Sequence, residues 1–111
     1  MGAKYELPQV LKMQLENFEY TKEDIERKIK EYSEEARVYI KGELEGFEIT
    51  EEEIHLIRNN YVQYKLFADV EMENLVADKR IFLKDFINSL KKNKLRIQEE
   101  NQEKPKRMRV Y

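Results

Sequence analysis

Ile25, Ile29, Tyr32, Ala36, Tyr39 and Ile40 fall on one face of a helix, spaced i, i+4, i+7 and i+11. That stripe constrains the fold more than any other feature of the chain. Thr21 with Asp24 forms a capping box ahead of it, with Asp in place of the usual Glu or Gln. Gly42 is a natural stop behind it, because glycine tolerates positive φ. The spacing therefore predicts a helix over about 22–41. Only 3 Gly and 2 Pro occur in 111 residues, which leaves little turn material for a many-stranded fold.

Three further segments read as helices. Leu7, Val10, Leu11, Leu15 and Phe18 recur at helical spacing, and Pro8 suits a first turn, so a short helix is expected over about 8–17. After the glycine-containing connection GELEGFEI, Thr50 and Glu53 form a full capping box. Three glutamates in that first turn complement the positive end of the helix dipole. Ile54, Ile57, Tyr61, Tyr64, Leu66, Phe67 and Ala68 follow and spread around much of the helix, which predicts a central position or an interface. A break is expected within ADVEMEN. A last helix then carries Leu75, Val76, Phe82, Leu83, Phe86, Ile87 and Leu90, and ends in Lys91, Lys92 and Lys94. The expected fold is all-α: a small bundle of about four helices over residues 1–94, with an extended basic C-terminal tail over 95–111.

Charged residues make up 40% of the chain, well above the usual quarter, and the net charge is −2. The charge is unevenly placed. Residues 91–111 hold 8 Lys/Arg and 3 Glu, a net of +5, which leaves −7 for residues 1–90. An acidic body thus carries a basic tail. The absence of cysteine excludes disulfides and thiolate chemistry and fits a reducing cytoplasm. The opening MGAKYELPQV has no apolar h-region, and Glu6 stands where a myristoylation pattern requires Ser or Thr. Charges interrupt every apolar run well short of the roughly 20 residues that span a bilayer, so no membrane association is expected.

The residue types that carry catalysis are scarce. His55 is the single histidine, and Ser33 and Ser89, the only serines, fall inside expected helices. A nucleophile needs its base within hydrogen-bond reach, which this set does not offer. Glu52-x-x-His55 matches half of the motif of helical di-iron sites, but such sites need a second Glu-x-x-His pair and two more glutamates. Glu52 is already accounted for by its place in a first turn. No glycine-rich phosphate loop is present. These features predict a protein with no enzymatic activity, no cofactor and no bound metal.

Tyr39, Arg58, Tyr61 and Tyr64 lie on the two long expected helices. They read either as core residues with hydroxyls at the edge or as an interface, since tyrosine and arginine are enriched where proteins meet. The tail QEENQEKPKRMRVY poses a similar choice. Lys104, Lys106, Arg107 and Arg109 supply only four cations for phosphate contact. No aromatic stacking platform interleaves them, and no helix presents a basic face to a groove. Met108, Val110 and Tyr111 alternate with charges as in a strand, which suits docking on a protein surface. A small helical nucleic-acid-binding or regulatory protein that uses this basic tail is the alternative.

The order of elements adds a resemblance. A short first helix leads to DIERKIKEYSEEARVYIKG, then to ITEEEIHLIRNNYVQYKLFADVEMEN, then to ADKRIFLKDFINSL ending in lysines. This resembles the small head–tail connector (adaptor) proteins of tailed bacteriophages over about residues 7–97. In that family the second long helix ends in a Tyr- and Leu-rich stretch, here Tyr61–Ala68. The following helix is loosely matched by Leu83, Phe86, Ile87 and Leu90. The chain departs from the pattern in having Lys91-Lys92-Asn93 where glycine is the commoner stop, and in the short loop at 42–49. The resemblance implies a non-enzymatic structural protein of the virion neck, assembled in the host cytoplasm. It implies a homo-oligomeric ring of about twelve copies, closed by head-to-tail contacts. The ring would join the portal protein to the next neck or tail-completion protein and continue the channel for packaged DNA, without sequence readout. Tyr39, Arg58, Tyr61 and Tyr64 would then lie at the subunit interface. Arg96, Ile97, Lys104, Lys106, Arg107, Met108, Arg109, Val110 and Tyr111 would dock the tail on the portal. An acidic body is compatible with a channel wall that repels phosphate.

Overall fold

A computed structural model describes residues 6–94. They form four α-helices and no strand: α1 (Gln9–Asn17), α2 (Lys22–Leu44), α3 (Glu51–Asp69) and α4 (Glu73–Asn93). The all-α expectation holds. The proposed tail over 95–111 lies outside the described residues.

Both capping boxes form. The Thr21 hydroxyl accepts from the Asp24 amide, and the Asp24 carboxylate accepts from the Thr21 amide at 2.9 Å. Thr50 and Glu53 repeat the exchange at the start of α3, at 3.1 and 3.0 Å. Each box satisfies two amides that a helix start otherwise leaves without partners.

The end of α2 corrects the expectation at Gly42. The helix runs through Gly42 to Leu44, and the positive φ falls at Gly46 instead, at 87°. Leu44 is 4% exposed, inside the core. Burying a leucine contributes about 2 kcal/mol. A glycine in a helix interior costs about 1 kcal/mol relative to alanine, so the extra turn wins.

α1 and α3 end without glycine. Glu19 and Glu71 take the left-handed conformation, at φ 63° and 58°. In each case two backbone bonds close the end of the helix. Tyr20 N–H donates to the Leu15 carbonyl and Glu19 N–H to Glu16, while Met72 N–H donates to Phe67 and Glu71 N–H to Ala68. These are Schellman closures, with an apolar residue following the left-handed one. The break expected within ADVEMEN is this second closure.

α3 lies between α2 and α4 and packs along both, as its apolar spread requires. Its core side divides in two. One cluster joins Leu11 and Leu15 of α1 to Tyr32 of α2 and to Val62, Leu66, Phe67 and Val70. The other joins Ile40 and Leu44 of α2, Ile57 of α3, and Leu83, Ile87 and Leu90 of α4. Polar side chains lie at the middle of α3. Asn60 accepts a 2.7 Å bond from the Lys79 ammonium and donates to the Leu56 carbonyl, while Gln63 donates to the Glu6 carbonyl at 2.9 Å. Partial burial pushes the Lys79 amine below its ordinary value. At the far end, Lys94 Nζ meets Glu53 Oε1 at 2.7 Å and ties the end of α4 to the start of α3.

Candidate interaction site

Tyr39 of α2 and Tyr61 and Tyr64 of α3 come together on the second core cluster. Tyr61 and Tyr64 sit three residues apart, on adjoining turns of one helix. Their rings meet edge-on with centroids 5.9 Å apart, and the Tyr39 ring tilts against Tyr61 at 5.1 Å. Both separations lie in the range where aromatic pairs attract beyond simple burial. All three residues are half-buried. The ring bodies pack on the core, and the outer edges remain at the surface.

The three rings line a cleft of about 140 Å³, completed by Arg80, Leu83 and Lys84 of α4. Arg80 and Lys84 are one turn apart and exposed. Neither is in an ion pair or hydrogen bond with a described residue. The Tyr61 hydroxyl donates to Glu35 at 3.4 Å, and Lys65 reaches the same carboxylate at 3.6 Å. Burial, then the nearby Glu43, pushes the Tyr39 phenol above its ordinary range; burial, then Glu35, does the same to Tyr61. The phenols therefore stay neutral at physiological pH. The cleft offers an apolar floor, aromatic walls and two cations at its rim, a chemistry suited to a carboxylate-bearing side chain.

Arg58, grouped with the tyrosines from the sequence, does not line this cleft. It is half-buried, and its Nε has no hydrogen-bond partner among the described residues. Arg80 and Lys84 are the cationic residues that line it. The signal that could have found them is their position on either side of Leu83, at the border of the apolar stripe of α4.

Glu52 and His55 line a shallow surface groove with Glu51, Glu53, Leu56 and Asn59. No group of three or more His, Cys, Asp or Glu able to hold a metal ion occurs among the described residues. Among those residues, no helix is long and apolar enough to cross a membrane. The tail residues Arg96, Ile97, Lys104, Lys106, Arg107, Met108, Arg109, Val110 and Tyr111 lie outside the described residues.

No family model matches the chain, and neither a curated protein nor a solved structure gives a significant match.

Proposed function

We propose that this chain is a non-enzymatic structural protein of a tailed-phage neck. In this reading it forms a ring adaptor that joins the portal to the next head–tail component and continues the DNA channel. The observation that carries the reading is the order of elements. A short α1, two long capped helices and a final amphipathic helix ending in lysines follow one another as in the small connectors that the sequence resembles. Two features support it. The tyrosine cleft lies at the surface where α2, α3 and α4 meet, a suitable place for subunit contact. The charge is divided between an acidic body, −7 over residues 1–90, and a basic segment, +5 over 91–111, as a separate docking segment requires.

In this proposal the ordering cost of the tail is met on assembly with the portal. Deletion of residues 98–111 tests it. Portal affinity, measured by biolayer interferometry with a candidate portal protein, is expected to be lost while the helical circular dichroism is retained. Unchanged affinity would sink the docking role. A low-salt DNA mobility shift that disappears on neutralising Lys104, Lys106, Arg107 and Arg109 would favour the nucleic-acid alternative.

A further inference from the structure

We infer that the cleft formed by Tyr39, Tyr61, Tyr64, Leu83, Arg80 and Lys84 receives the start of α3 of a second copy, led by Glu51, Glu52 and Leu56. The inference rests on the ring reading above and names the two surfaces that meet.

The two patches are complementary in charge. The cleft is a concavity of about 140 Å³ whose two rim cations pair with no described residue, in a body whose residues otherwise sum to a negative charge. The start of α3 carries the opposite features. Glu51 and Glu52 are exposed and have no ion pair or hydrogen bond with a described residue, whereas Glu53 is committed to Thr50 and Lys94. Beside them Leu56 is 39% exposed, an apolar side chain of a size to enter a small aromatic-walled cleft. Rim cations and the Glu51 and Glu52 carboxylates would then pair around a desolvated apolar centre, the arrangement that gives specificity in protein contacts.

Glu51 and Glu52 open α3, and Tyr61 and Tyr64 lie about three turns further along it. The two patches are therefore distinct, and because they carry opposite charges, neither meets its own copy across a two-fold axis without repulsion. In a ring they form a heterologous contact that repeats from copy to copy and closes when the rotation permits.

A charge-swap experiment tests this. One full-length variant carries Arg80→Glu and Lys84→Glu, and a second carries Glu51→Lys and Glu52→Lys. All four positions are exposed, and circular dichroism confirms that each variant keeps its helices. In sedimentation velocity and native mass spectrometry, the wild type is expected to form oligomers. Each variant alone is expected to lose them, because like charges then face each other. An equal mixture of the two is expected to regain them, with both variants in the same particle. The inference is overturned if either variant alone associates as the wild type does, if the mixture stays monomeric, or if the wild type is monomeric at its highest soluble concentration. None of those results bears on portal docking, which the tail deletion reads independently.

Discussion

Tyr32 shows how single side chains hold this bundle together. Its ring is in the first core cluster, 5% exposed, while its hydroxyl donates a 2.6 Å bond to the Asp69 carboxylate across the α2–α3 contact. Lys28 and Lys65 lie over the ring at 5.4 and 5.6 Å, so the same aromatic serves as core filler, donor and cation partner. Burial and the Asp69 bond hold its phenol far above the ordinary range. Tyr32→Phe keeps the packing and removes the donor to a charged acceptor. It is expected to cost about 2 kcal/mol, read from the urea midpoint. An unchanged midpoint would mean that water replaces the hydroxyl at no cost. The sequence marks Tyr32 as part of the apolar stripe, but Asp69, 37 positions away, is beyond what a local pattern can pair with it.

At the scale of the element, the starts of α2 and α3 were legible and helix ends were less so. A capping box is a local exchange over four residues, so Thr21 with Asp24 and Thr50 with Glu53 could be read directly. An end depends on what the next turn can bury. Gly42 looks like a stop until Leu44 is known to be a core residue, and Glu19 and Glu71 carry no glycine to announce their left-handed backbone. The two interior glycines should therefore respond in opposite directions to alanine. A Cβ at Gly42 meets nothing within 4 Å, so Gly42→Ala should stabilise by about 1 kcal/mol. Gly46→Ala, at φ 87°, should destabilise by about 1 kcal/mol, because a Cβ disfavours that backbone. Thermal unfolding of the two variants tests both signs.

The start of α3 also ties element stability to pH. The Lys94 ammonium, then the Thr50 amide, hold the Glu53 carboxyl below its ordinary value of 4.5. A carboxyl depressed in the folded state binds protons more readily when unfolded, so it stabilises the fold above the ordinary value. That contribution should be lost as the pH falls from 4.5 through the lowered folded-state value. Glu53→Gln should flatten this acid limb in a series of urea melts. A limb of undiminished slope would assign the acid sensitivity to other carboxylates.

For the whole molecule, the sequence was enough for the all-α class and the central place of α3, because an apolar spread around a helix requires neighbours on both sides. The site was only half legible. Tyr39, Tyr61 and Tyr64 could be grouped from two helices, but the cationic rim needs α4 folded against them, which brings Arg80 and Lys84 into place and leaves Arg58 outside. Assembly is the level at which these surfaces acquire a purpose. The bundle offers a tyrosine cleft with a cationic rim and an acidic patch at the start of α3, and the sequence adds a basic segment after residue 94. In our account the first two close a ring and the third fastens it to the portal. The most direct test is negative-stain imaging of the full-length protein mixed with a candidate portal protein. The account predicts a second ring stacked coaxially on the portal, absent when residues 98–111 are removed. Portal particles that stay bare in the presence of excess full-length protein would contradict it.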